Sequence, residues 1–464
     1  MFVLAFILGL FVSANLMWII VFERPDKMLH FGRYRSRILT KPSFFGLDAS
    51  YHLEDLGEGF DVISIIEEFE ACDIPRRYAK MSAVEALLEN TITKPFGDEL
   101  PPIRFYLIHN DDGGTTIVSE LHHALADGFS SIMALLELTD TLEKSMPLAD
   151  TASVGSTNAS DSCAKVYETK TERIWKILMK LLTLLWQWIK HVPWALYMLL
   201  VFSVIPDSYT SLRPTFGKRG RSEVRCGTEV SLEDLKIVSK ATGSKINDVI
   251  LALLAGTARR YLLAEALKKG VDEIRDPARL RMGFQFTANM RSLSGEPSIG
   301  GGGNESWVFA VPVCLDADLQ KRIKNVQLQT GRLKRSPAFL FGKVFTRCCG
   351  FFMNFPIFRR LLINCICGER YIFGKTLTVT NVPGPRAPRS VCGEAIQRLS
   401  VYVSHSQTFS VITYNGKVST IIVTDSEWVD AELMRECYNE EVEQAVLAFR
   451  SAEKGIEGLS HTRS

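Results

Sequence analysis

Apolar and polar residues alternate along Ile103–Ile108 and again along Thr115–Leu121, with Asn110-Asp111-Asp112-Gly113-Gly114 between them. A period of two on either side of a Gly- and Asp-rich gap predicts a β-hairpin. After the second run the pattern changes to helical spacing, with Ile132, Met133, Leu135, Leu136 and Leu142 predicting one face of a helix from about Phe129 to Glu143. Downstream, Ser231-x-x-Asp234 opens a short helix that ends near Gly243. Asn247 is expected to cap a longer helix running to about Lys268, where Lys268 and Lys269 suit the negative end of its dipole. Leu377–Val382 reads as a strand stopped by Pro383-Gly384-Pro385. Gln407–Tyr414 and Lys417–Thr424 alternate around Asn415-Gly416, a type I′ hairpin signal. A final amphipathic helix is predicted from about Val429 to Phe449.

Three segments are more apolar than a soluble lobe needs. Met1 to Phe22 carries no charged side chain, and 22 residues as a helix cover about 33 Å, enough to cross a bilayer. No basic stretch precedes it, so an anchor is the better reading than a cleaved signal peptide. The basic residues Arg33, Arg35, Arg37 and Lys41 follow it, which places the rest of the chain on the cytosolic side. The second segment is Ile174–Lys190, where Lys176, Lys180, Thr183, Gln187 and Lys190 form one narrow polar stripe at helical spacing and the remainder is Leu, Ile, Met and Trp. It reads as a helix in a membrane interface, the other possibility being a helix packed on its own protein. Pro193 is expected to end it, and Trp194–Ile205 continues apolar but too short to span. The third is Phe339–Phe358, with seven Phe, where core packing, lipid contact and a tunnel lining all fit.

Composition narrows the class. The 464 residues suffice for two large lobes, and the formal net charge of +2 argues against a nucleic-acid binder. Ten Cys in spacings such as Cys348-Cys349 and Cys365-x-Cys367 make neither a disulfide scaffold nor a zinc site. Residues 149–172, rich in Ser, Thr, Asp and Ala, read as a linker. The expected division is therefore an anchor at 1–22, an N-terminal lobe at 23–148, the linker at 149–172, the apolar segment at 173–206 and a C-terminal lobe at 207–455.

The chemistry lies at the end of the hairpin, in His122-His123-Ala-Leu-Ala-Asp127-Gly128, which holds two of the chain's eight His. A His with a near-neutral pKa can take a proton from a hydroxyl as that hydroxyl attacks a carbonyl. Adjacent residues on extended backbone point to opposite sides, so one His reaches a cleft and the other does not. His123 is the expected base and His122 a structural residue. Asp127 is expected to lock the turn, and Gly128 to permit its tight backbone. A metal pair or a hydrogen-bonded loop is the alternative. No Gly-x-Ser-x-Gly elbow, P-loop or dinucleotide fingerprint occurs, so direct transfer without a covalent enzyme intermediate is the simplest mechanism.

The segment resembles the His-His-x-x-x-Asp-Gly signature of the CoA-dependent acyltransferase superfamily, and within it the wax ester synthase/diacylglycerol acyltransferase family. Lys245-Ile246-Asn247-Asp248, Gly303-Asn304 with Val311-Pro312-Val313, Thr380-Asn381-Val382-Pro383-Gly384-Pro385 and Ser410 to Tyr414-Asn415-Gly416 with Thr424-Asp425 carry the likeness, which spans about residues 41–450. Pro101-Pro102-Ile103 departs from the Pro-Leu-Trp usual in the family at that point.

The resemblance implies an α/β fold of two chloramphenicol-acetyltransferase-like lobes with the active site between them. It implies a membrane-associated O-acyltransferase that moves a fatty acyl group from acyl-CoA, as co-substrate, to a long-chain alcohol or diacylglycerol. No cofactor, metal or nucleic acid is expected. Asn247, Asp248 and Asn381 become substrate-binding candidates; plain helix capping remains the competing role for Asn247. The expected location is a single-pass membrane protein of the endoplasmic reticulum, with plasma membrane or lipid droplet as alternatives and membrane lipid as a partner. A non-catalytic lipid-binding protein and an acyltransferase for a glycerophosphate are the rival readings.

Overall fold

The computed structural model describes residues 15–20, 36–42, 49–55, 62–92, 94–96, 100–122, 127–137, 139–141, individual positions between 175 and 197, 207–213, 220–270, 276–289, 306–336, 338, 376–385, 387–391, 393–403 and 407–461. The first half builds β1 (Asn15–Ile20), the hairpin β2 (Ser36–Pro42) and β3 (Ala49–Asp55), β4 (Ile66–Glu70), α1 (Ala83–Thr91), β5 (Ile103–His109), β6 (Thr115–His122), α2 (Gly128–Glu137) and β7 (Asp140–Thr141). The second half builds β8 (Ser222–Cys226), β9 (Val230–Ser231), α3 (Leu232–Thr242), α4 (Ile246–Lys269), β10 (Met282–Asn289), β11 (Ser306–Val313) and α5 (Leu319–Arg335). It continues with β12 (Leu377–Pro383), β13 (Arg389–Val391), β14 (Glu394–Ala395), β15 (Ser400–Val403), β16 (Thr408–Tyr414), β17 (Lys417–Asp425) and α6 (Ala431–His461).

Two mixed sheets organise these elements. The first runs β15-β1-β6-β5-β4 and the second β11-β10-β12-β16-β17-β8 with β9 on β17. The boundary in sequence is not the boundary between sheets, because β15 from the second half pairs antiparallel with β1, and β7 pairs with β13. One face of the second sheet carries the larger core, in which Val249 to Leu262 of α4 pack against Phe284, Val379, Phe409 and Val411. From Val249 to Ala255 α4 is apolar all round, as a helix buried between α5 and α6 must be.

The local signals behave as their chemistry requires. The Asn110–Gly114 turn closes with Asn110 N donating to Gly114 O at 2.8 Å. Asn415 and Gly416 take positive φ of 46° and 74°, as a type I′ turn demands. Ser231 caps α3 through Glu233 N at 3.2 Å, and Gly243 ends it in the left-handed region at φ 61°. Ser82 and Glu85 form a reciprocal capping box on α1. Cys226 and Cys437 are free thiols, and burial first pushes both up to about 12.

Several expectations are corrected. A single spanning helix over Met1–Phe22 is excluded, because Asn15–Ile20 is a strand hydrogen-bonded between β6 and β15. A central strand needs apolar residues on both faces, and such a run has the same composition as a span. Among the described residues no helix is long and apolar enough to cross a membrane. The single-pass topology and its orientation lose their basis with that helix. α2 stops at Glu137 rather than Glu143, since Asp140–Thr141 turns to pair with Arg389–Ser390. α6 is longer than expected and reaches His461. Pro193 does not end the helix before it; Val192 to Trp194 are helical and Tyr197 sits in a π turn. A π turn interrupts the regular hydrogen-bond ladder, which a Pro already lacks. The 149–172 linker, the 339–358 segment and Gly303-Asn304 lie outside the described residues.

The two sheets are joined by buried charge. Glu89 of α1 accepts from Val224 N at 3.1 Å and from Arg225 Nη1 at 2.6 Å on β8. Glu85, one turn earlier, accepts from Cys226 N at 2.7 Å. Arg77 bonds Glu89 and reaches Glu223 at 3.0 Å, while the Arg225 guanidinium lies 4.9 Å from the Tyr78 ring centroid. Burial raises the Glu89 carboxyl above its ordinary value, and the Val224 N–H and then Arg77 oppose that rise. Replacing Glu89 by Ala would leave Arg225, 2% exposed, without its closest partner. Glu89→Ala is expected to cost about 3–5 kcal/mol in urea unfolding.

Candidate active site

β6 ends at His122, which pairs with Asn15 of β1 and whose N–H donates to Pro102 O at 2.9 Å. Pro101 and Pro102 are both buried at the mouth of β5. The Pro-Pro-Ile departure thus holds the backbone of the His-His strand end through a carbonyl, which a Pro still supplies. His122 shares its side of β6 with Glu120 and Val118. Its ring meets Phe96 nearly edge-on, with centroids 6.0 Å apart and planes at 80°.

Below this ring lies a polar layer that sequence reasoning missed. Arg104 stands over Phe96 at 4.5 Å and opposite Glu120 in the β5–β6 register. Glu120, fully buried, accepts from Tyr106 Oη at 3.2 Å and lies 3.7 Å from Arg104 Nη1. Burial first, and then the Glu120 carboxylate, push the Tyr106 phenol far above its ordinary value. The available signal was an acid in the middle of an apolar strand, two residues before His122 on the same side, with Arg104 at the matching place on β5. His123 lies outside the described residues, as do residues 124–126.

Asp127 opens α2. Its Oδ1 accepts from Ser130 N at 3.0 Å and its carbonyl from Ser131 N at 2.9 Å, an N-cap on a residue 1% exposed. Gly128 is the first residue of that helix. The described ends of the motif therefore bracket it between a strand terminus and a capped helix start.

α2 touches β12, the strand that carries Asn381. Asn381 Nδ2 donates to Asn247 Oδ1 at 2.9 Å, so two of the candidates, 134 residues apart in the chain, meet. Asn247 is not the cap of α4. It sits in the first turn, Lys245 is the N-cap residue, and Asp248 Oδ2 accepts from Lys245 N at 3.2 Å. With Asp248 closing the turn, the Asn247 side chain is free to reach β12. Asp248 is turned inward: its other oxygen accepts from Thr330 Oγ1 of α5 at 2.8 Å, and the residue is buried. Both of its oxygens accept hydrogen bonds from within the protein.

β12 runs into Pro383, paired with Thr413 of β16. A Cβ on Gly384 would fall 2.0 Å from the Thr413 carbonyl oxygen, so only Gly lets the turn after Asn381 press against β16. Among the described residues no group of His, Cys, Asp and Glu is placed to hold a metal ion. What the arrangement offers is a His strand end, a capped helix start and a paired amide with donors to spare, a set suited to proton transfer and to binding a polarised oxygen.

The two mixed sheets, with α2 against β12, have the α/β fold of solved acyltransferase and condensation-domain structures. The solved wax ester synthase/diacylglycerol acyltransferase from Marinobacter aquaeolei VT8 aligns with a TM-score of 0.54 at 14% identity, covering 94% of each chain. The first condensation domain of the calcium-dependent antibiotic synthetase aligns with a TM-score of 0.52 at 11% identity, over 94% of this chain and 91% of that one. The wax ester synthase/diacylglycerol acyltransferase catalytic domain matches residues 80–250, and the WS/DGAT C-terminal domain matches residues 303–445. The chain belongs to the wax ester synthase/diacylglycerol acyltransferase family, and it is an acyltransferase. Wax ester synthase/diacylglycerol acyltransferase 9 of Arabidopsis thaliana is 24% identical over 85% of this chain and 84% of its own. Number 5 of the same plant is 22% identical over 74% and 70%.

Two predictions follow from this geometry. Asp127→Ala removes the N-cap of α2 and is expected to lose about 1–2 kcal/mol in thermal or urea unfolding. A double-mutant cycle of Asn247→Ala and Asn381→Ala is expected to show a coupling of about 0.5–1.5 kcal/mol in stability. Strict additivity would mean that the amide pair contributes nothing.

Proposed function

We propose that the chain transfers a fatty acyl group from acyl-CoA to the hydroxyl of a long-chain alcohol or a diacylglycerol, with His123 as general base. The observation that carries the reading is the contact of α2, which Asp127 caps four residues after His123, with β12, whose Asn381 is bonded to Asn247. In this reading the two sheets belong to two lobes, with the site between them. The N-terminal lobe supplies His123 and the C-terminal lobe supplies Asn247 and Asn381.

The step balances without a cofactor. His123 takes the proton of the acceptor hydroxyl as its oxygen attacks the thioester carbonyl. The carbon–oxygen bond of the ester forms, the carbon–sulfur bond breaks, and the same proton passes from His123 to the departing CoA sulfur. The spare amide hydrogens of Asn247 lie at the positive end of α4, where an oxyanion or a CoA phosphate is favoured. Both substrates are amphipathic or lipid, and the enzyme works at a lipid surface.

The test is an acyl-CoA assay with hexadecanol and diacylglycerol offered in parallel. His123→Ala is expected to lower turnover about 100- to 10,000-fold with either acceptor. Wild-type rates in that variant would remove His123 as the base. Transfer to neither acceptor by the native chain would favour a lipid-binding protein on this fold.

A further inference from the structure

The described helical positions from 175 to 189 leave large apolar side chains in solvent. Trp175, Leu178, Met179 and Leu182 begin the row and Leu185, Trp186 and Ile189 complete it, all between 41% and 68% exposed. Each lies three, four or seven residues from others of the row, which places them on one face of a helix over a length of about 20 Å. The segment is nonetheless fixed to the body, because Trp194 packs on the core of the second sheet beside Ala310. An uncovered apolar row of this size is uncommon on a protein surface that meets only water.

The polar stripe is not opposite this row but beside it. At 100° per residue, the sequence spacing of Lys176, Lys180, Thr183, Gln187 and Lys190 sets that stripe about 120° round from the centre of the exposed face. Thr183 and Lys190 are themselves exposed. The outward surface is thus apolar and bordered by Lys190, and the sequence carries no acidic residue from 173 to 206. Trp at a polar–apolar boundary, Leu and Ile beneath it and Lys along the rim match an acyl region bordered by anionic headgroups. A protein partner would have to bring both a large apolar face and a row of acids to fit as well.

We propose that this helix lies flat on a lipid surface bearing anionic headgroups, with the Trp175–Ile189 face down and the Lys edge among the headgroups. It holds the second sheet against the layer from which a lipid acceptor comes. That purpose rests on the acyltransferase reading; the binding itself does not.

The test is flotation of the full chain with phosphatidylcholine vesicles, with and without phosphatidylserine. The native chain is expected to float, and more so with phosphatidylserine. Leu182→Glu with Trp186→Glu is expected to lower the bound fraction at least about tenfold, while turnover of a short soluble alcohol stays at the native rate. Lys176→Gln, Lys180→Gln and Lys190→Gln together should abolish the gain from phosphatidylserine. Flotation of the Glu variant at the native level would overturn the proposal. So would a native dimer in sizing chromatography that the Glu variant turns into a monomer, since the face would then be covered by a second copy. A chain that floats, loses flotation in the Glu variant and transfers no acyl group would support the surface while failing the acyltransferase reading.

Discussion

Two carboxylates on one helix decide how the halves of this chain meet. β8 is the edge of the second sheet, and an edge strand presents unpaired N–H groups. Glu85 and Glu89 accept those of Cys226 and Val224. Residues four apart on a helix stand about 6 Å apart, and alternate N–H groups on a strand about 6.8 Å, so one face of α1 fits one edge of β8. The junction brings Arg225 out of water and sets it between Glu89, Glu223 and the Tyr78 ring. A buried ion set of this kind contributes little net stability but tolerates few alternative arrangements, because any other leaves a charge unpaired.

The candidate site depends on that fixed relation. The first sheet carries the His122 strand end and α2; the second carries β12 and α4. β15 reinforces the connection, since it pairs with β1 in the first sheet while packing against β16 and β17 of the second. Asn381 and Asn247 lie within the second sheet and its helix layer, so their bond is set by that half alone. The approach of α2 to β12 is set by the junction between halves, and a shift at α1 would be felt there.

Much of this was legible because it is local. The β5–β6 and β16–β17 hairpins, the Ser231 cap and the Gly243 stop rest on residues within a few positions of one another, where turn chemistry and caps act. The His-His-x-x-x-Asp-Gly segment was visible for the same reason. What proved hard to read depended on distant partners. Asn247 looked like a cap until Asp248 was seen to close the turn and Asn381 to occupy the amide. The Arg104, Glu120, Tyr106 and Phe96 layer exists only once β5 and β6 are in register. Gly384 looked like ordinary turn chemistry, and its necessity comes from a carbonyl 29 residues away in the chain.

The apolar segments divide along the same line. From the residues alone came the family, the His-His-x-x-x-Asp-Gly motif and the hairpins, since each is written in short-range spacing or composition. Tertiary structure alone decided that Asn15–Ile20 is a strand between β6 and β15, and that the 175–189 row faces outward rather than into its own protein. The physical reason is that hydrophobicity is non-directional: an apolar run carries a demand to leave water, and only the surrounding chain determines whether a sheet, a core or a lipid layer meets it.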